Sequence, residues 1–107
     1  MLALSHPLRV AGLVACGLAT LAATLAGCTP KATPAECSAL VDHYAGLVVT
    51  EHFPDAGADR IVAEQEREKT EARSDDSFKN CSSEVSRAEL DCAMRATTAN
   101  ALEKCLE

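Results

Sequence analysis

Six cysteines carry the most distinctive chemistry in this 107-residue chain, at positions 16, 28, 37, 81, 92 and 105. A cysteine thiol can be acylated, oxidised to a disulfide or used as a ligand for a metal ion. Which of these reactions is open to a given cysteine depends on its sequence neighbours and on the compartment in which the chain folds.

The segment before Cys28 is typical of an export signal. Arg9 is its only charged side chain, and residues 10 to 26 form an apolar, Ala-rich run that ends in small residues. A membrane-spanning helix is the alternative, but it needs ~20 apolar residues and this run is shorter. We therefore expect residues 1 to 27 to be a signal peptide that is removed from the mature protein.

The four residues Leu25-Ala26-Gly27-Cys28 resemble the lipobox of bacterial lipoproteins at every position. The resemblance implies cleavage before Cys28, diacylglycerol on its thiol and acylation of the new amino terminus. Each acyl methylene that is buried in the bilayer contributes ~0.8 kcal/mol to the free energy of membrane binding. Several acyl chains would therefore hold the protein permanently on a membrane. In such lipoproteins an aspartate after the cysteine signals inner-membrane retention. Thr29 stands there instead, which implies an outer-membrane protein that faces the periplasm.

Four cysteines remain once the signal has left and Cys28 is acylated: Cys37, Cys81, Cys92 and Cys105. An even number in a small exported chain predicts two disulfides. Only 15 large apolar side chains follow residue 27, and bridges contributing ~3 to 4 kcal/mol each would stabilise so thin a core. Three connectivities are open. A bend between two short helices at residues 96 to 98 would favour a disulfide between Cys92 and Cys105. Cys37 would then pair with Cys81.

Metal binding is the other chemistry open to these side chains. Structural zinc sites usually pair ligands two to four residues apart, whereas no C-x-x-C occurs here and the C-x-x-C-H haem motif is also absent. His43 and His52 would lie about 180° apart around one helix and could not readily hold the same ion. We predict no metal and no cofactor. His43 lies at the edge of an apolar stripe, where it could hydrogen-bond a neighbouring segment.

Helical periodicity begins after a proline-containing stretch. Residues 28 to 35 are expected to be the lipidated cysteine and a tether, with residues 29 to 34 spanning about 20 Å. A first helix from Ala35 to the Phe53-Pro54 stop is then predicted by apolar residues at helical spacing. These residues are Cys37, Leu40, Val41, Tyr44, Leu47 and Val48.

The rest of the chain also reads as helical. Asp59 is expected to cap a second, mostly exposed helix that runs to Arg73 through many charged side chains. Ser86 and Glu89 fit a capping box, and Thr97-Thr98 can cap a last short helix. No alternation long enough for a strand occurs. We predict an all-α fold, a small disulfide-stapled bundle of about four helices over residues 36 to 107.

One further resemblance concerns the arrangement of the cysteines. Glu36-Cys37 with His43, Asn80-Cys81, Asp91-Cys92-Ala93-Met94 and Cys105 resemble small four-cysteine helical lipoproteins of Gram-negative bacteria. The resemblance covers Glu36 to Glu107. It implies the helical architecture and no particular activity.

Charge and motifs narrow the function. The mature segment has 16 acidic and 9 basic side chains, which disfavours nucleic acid as a partner. Ser38, Asp42 and His43 are close in sequence, but hydrolytic triads converge from separate elements, and no phosphate-binding or dinucleotide motif occurs. We predict a non-enzymatic, lipid-anchored envelope protein that contacts an envelope partner, with Asp59 to Arg73 as its most exposed face. A small ligand or metal carrier is the alternative.

Overall fold

The computed structural model describes residues 30 to 107. Within this range the chain forms five helices and no strand: α1 Pro34–His52, α2 Ala58–Ser74, α3 Cys81–Glu84, α4 Arg87–Arg95 and α5 Ala99–Lys104. The predicted all-α, disulfide-stapled fold is confirmed. One helix more than the expected four is present, and the additional helix is α3, which has a single turn. The predicted signal peptide and the predicted lipidation of Cys28 lie outside the described residues.

Helix α1 begins with reciprocal capping. The Thr33 hydroxyl accepts a hydrogen bond from the Glu36 backbone N–H, and the Glu36 carboxylate accepts one from the Thr33 N–H. Pro34 occupies the first helical position, where its missing N–H costs nothing. Phe53 ends the helix and Pro54 prevents its continuation.

Two stripes of α1 are covered. Leu40 and Val41 are buried in the main core, as the periodicity predicts. Ala45 and Val49 are also buried, although they do not belong to the predicted apolar pattern. They lie on the stripe that faces α2, where a Cβ on Gly46 would be 4.0 Å from the Gln65 side chain. Small residues on this stripe let the two helices approach closely.

Helix α2 folds back along α1 through a five-residue turn. Gly57 is its N-cap residue and makes no side-chain hydrogen bond, so the expectation that Asp59 caps the helix is wrong. Asp59 lies in the first turn, where its charge still complements the helix dipole. Ala72 is the only buried residue of α2, which confirms that most of the helix is exposed.

The main core lies where α1 meets α3, α4 and α5. Tyr44 and Phe78 pack with their ring centroids 4.8 Å apart. Further buried apolar residues of this core are Ala72, Cys81, Val85, Leu90, Ala93 and Leu102. The capping box of Ser86 and Glu89 starts α4, and the Thr98 hydroxyl caps α5. Both caps are at the residues that the sequence indicated.

The segment before α1 is docked on the domain, in contrast to the tether expected over residues 29 to 34. The Ala32 N–H donates to the Val85 carbonyl at 2.9 Å, and the Arg87 N–H donates to the Pro30 carbonyl at 3.2 Å. Ala32 is only 3% exposed and belongs to the main core. The tether prediction is therefore wrong from Pro30 onwards, because a buried alanine and two backbone hydrogen bonds hold this segment in place.

Candidate functional site

Two disulfides account for the cysteines in the described part of the chain. Cys37 on α1 is bonded to Cys81 on α3, and Cys92 on α4 is bonded to Cys105 just after α5, with Cα–Cα distances of 5.8 and 5.7 Å. This is the connectivity that helical geometry favoured. Cys81 is 3% exposed whereas Cys92 is exposed to solvent. All four thiols are therefore used to hold helices together.

His43 links α1 to the carboxyl end of α4. Its Nε2–H donates to the Ala96 carbonyl at 2.9 Å, because a carbonyl oxygen can only accept. Ala96 is the C-cap residue of α4, where carbonyl groups lack partners within the helix. The structural hydrogen bond that the sequence suggested for His43 is thus present. His52 is exposed in the last turn of α1.

We expect His43→Ala to lower the free energy of unfolding by roughly 1 to 2 kcal/mol, because the half-buried Ala96 carbonyl loses its donor. His43→Gln, whose amide nitrogen can reach a similar position, should recover part of that loss. His52→Ala is the matched control and should leave the free energy of unfolding unchanged. Urea unfolding followed by circular dichroism at 222 nm measures all three variants. Equal stability of His43→Ala and the wild type would contradict the structural role.

The triad-like residues of α1 point to other partners. Asp42 is paired with the Lys69 ammonium of α2 at 3.2 Å, and His43 is bonded to Ala96. Ser38 is exposed. Within residues 30 to 107, no three His, Cys, Asp or Glu side chains are grouped so that they could hold a metal ion.

A small cleft opens between α1 and the end of α2. Its volume is about 140 Å³, and it is lined by Tyr44, Glu68, Glu71, Ala72, Asp75 and Phe78. The Tyr44 hydroxyl donates to Glu103 Oε1 at 2.9 Å. Burial, together with the hydrogen bond to Glu103, raises the pKa of Tyr44 to about 12, so this phenol stays protonated at neutral pH. Pockets for small organic ligands usually measure ~300 to 1,000 Å³, well above this volume.

Charged side chains on α2 form a network centred on Arg67. Its guanidinium contacts Glu64 at 3.0 Å and both Glu68 and Glu71 at 2.7 Å. The hydrogen bond to Glu64, then that to Glu71, and the nearby negative charges of Glu71 and Glu68 raise the pKa of Arg67. The helix has five acidic and four basic side chains, so its charges are close to balance.

The glutamates of α2 differ in exposure. The side chains of Glu66 and Glu71 are 64% and 59% exposed, whereas those of Glu64 and Glu68 are 22% and 13% exposed. Val62 is 60% exposed, the highest value among large apolar residues of the described chain. We define the outer surface of α2 by its exposed residues between positions 62 and 73: Val62, Ala63, Glu66, Arg67, Thr70, Glu71 and Arg73.

Comparison with known proteins adds no relative. The chain matches no protein-family profile, no curated protein and no solved structure. None of the helices α1 to α5 is long and apolar enough to cross a membrane.

Proposed function

We propose that this protein is a bacterial lipoprotein, anchored to the outer membrane through lipid on Cys28, whose helical domain binds another envelope protein. The observation that carries the binding role is the outer surface of α2. There Val62, an apolar side chain, is exposed among charged side chains on a helix that buries only Ala72. Protein interfaces are commonly built from an apolar centre with a polar rim.

The geometry favours a binding surface over the alternative of a small-ligand carrier. The cleft beside Tyr44 holds about 140 Å³, which is small for an organic ligand. A larger depression of about 400 Å³ lies at the turn between α1 and α2, but its lining is mostly exposed, with His52, Pro54 and Arg60 open to solvent. His43, which the carrier hypothesis would use, already donates its Nε2–H to Ala96. A stoichiometric metal or small molecule retained in native mass spectrometry of the purified protein would favour the carrier instead.

Site-specific photocrosslinking in intact cells tests the proposal. A photoreactive amino acid at position 62 should give one discrete crosslinked species, because the Val62 side chain is exposed to solvent. The same amino acid at position 65 should not, since Gln65 is half-buried against α1. Adducts from position 65 but not from position 62 would place the contact elsewhere.

An exposed glutamate provides a charge test. Glu66→Gln should reduce the yield of the crosslink from position 62 several-fold, because this exposed carboxylate lies one helical turn from Val62 on the same face. Folding should be preserved, since exposed ion pairs contribute little to stability. The control is Glu64→Gln with Glu68→Gln, whose side chains are mostly covered. This pair should leave the crosslink yield unchanged. An unchanged yield in the Glu66→Gln variant would exclude this carboxylate from the contact.

A further inference from the structure

The start of the described chain is fastened to the domain at several points. Besides the backbone pairing of Ala32 with Val85, the Lys31 ammonium lies 3.4 Å from the Glu84 carbonyl oxygen. Glu36 adds a link to α4, since its carboxylate contacts the Arg87 guanidinium at 2.6 Å. These contacts hold Pro30 to Thr33 against the segment from α3 to α4.

The contact between Glu36 and Arg87 is an ion pair. The hydrogen bond from Arg87, followed by that from the Thr33 N–H, lowers the pKa of Glu36. Glu36 is therefore ionised at neutral pH and can accept from both groups at once. The amino-terminal segment is held by a charged link as well as by the burial of Ala32.

The fastening limits how far the domain can stand from its anchor. Cys28 precedes Pro30 by two residues, and an extended chain covers at most ~3.6 Å per residue, or about 7 Å in all. A tether of residues 29 to 34 would have allowed about 20 Å. Lipid on Cys28 would thus enter the bilayer within about 7 Å of a residue that is fixed to the fold.

We infer that the domain lies directly against the membrane surface, with one end facing the lipid headgroups. This juxtamembrane end is formed by Pro30 and Lys31 together with Glu84 to Arg87. The inference depends on the proposed lipid anchor and specifies what that anchor does. Helix α1, with 19 residues, adds a length of about 28 Å. The reach of the domain from the membrane is therefore set by its own size and not by a flexible tether.

Fluorescence quenching in vesicles tests this orientation. The full-length chain is expressed, and the mature lipidated protein is reconstituted into vesicles of phosphatidylethanolamine and phosphatidylglycerol that carry a nitroxide on the headgroup. A fluorescent non-canonical amino acid replaces either Glu84, at the juxtamembrane end, or Asp55, in the turn between α1 and α2. Quenching at position 84 should exceed quenching at position 55 several-fold.

A linker insertion provides the control for reach. A Gly/Ser linker of about ten residues between Thr29 and Pro30 spans about 17 Å and should bring the two positions to similar, weak quenching. Vesicle flotation, measured first, separates the two hypotheses. Failure to float would refute the lipid anchor and the orientation with it. Flotation with equal quenching at positions 84 and 55 before insertion would refute the orientation alone.

Discussion

Replacement Cys28→Ala is expected to abolish incorporation of a palmitate analogue and to stop removal of residues 1 to 27. The physical reason is that the diacylglycerol of a lipobox protein is attached to the cysteine sulfur, which alanine lacks. Cleavage by the lipoprotein peptidase before residue 28 depends on that attachment. A protein without acyl chains loses ~0.8 kcal/mol of membrane affinity for each methylene that no longer enters the bilayer. The variant should therefore lose both its processing and its lipid anchor.

Metabolic labelling and intact mass measure this result together. Labelled wild-type protein should have the mass of residues 28 to 107 plus acyl groups, whereas the Cys28→Ala chain should stay unlabelled. Cys16→Ala is the matched control, because Cys16 lies in the predicted signal and should leave labelling intact. A mature wild-type protein that still contained residues 1 to 27 would contradict the lipoprotein assignment.

Removal of the Cys37–Cys81 disulfide is expected to be the most destabilising change within the domain. The bridge closes a sequence separation of 44 residues, for which chain entropy predicts a loss of about 4 kcal/mol. The separation of 13 residues for Cys92–Cys105 predicts about 3 kcal/mol. The free energy of unfolding of a small domain is only about 5 to 15 kcal/mol. The loss of either bridge would therefore remove a large fraction of it.

Packing adds to the difference between the two bridges. Cys81 is buried in the main core and begins α3, a helix of four residues. So short a helix is not stable by itself, and the bridge to α1 holds it against the core. Cys92 is exposed and Cys105 is only partly buried at the edge of the core, so the loss of this bridge should disturb the core less.

Double alanine variants of each bridge allow a direct comparison. Urea unfolding of the purified mature protein should rank the wild type first, Cys92→Ala with Cys105→Ala second, and Cys37→Ala with Cys81→Ala last. The unreduced wild type should contain no thiol that can be alkylated. Four reactive thiols, or the reverse stability order, would contradict this account.

Local signals in the sequence account for much of the fold. The capping box of Ser86 and Glu89, the cap at Thr98 and the apolar spacing of α1 act over three or four residues, so the chain itself carries the full pattern. The even number of cysteines after Cys28 predicted two disulfides for a similar reason. A thin core in an exported domain needs crosslinks, and that need can be judged from composition.

The tertiary structure decided what depends on contacts between distant residues. Ala45 and Val49 are buried on the stripe of α1 that faces α2. The backbone changes from extended to helical at Gly57, so Gly57 and not Asp59 is the N-cap residue of α2. The docking of Pro30 to Thr33 had no local signal, since its partners are residues 84 to 87, more than 50 positions away. A proline-containing segment predicts an extended chain in either case. Whether that chain is free or fastened is determined by burial of Ala32 and by the hydrogen bonds offered at Val85, which exist only in the folded domain.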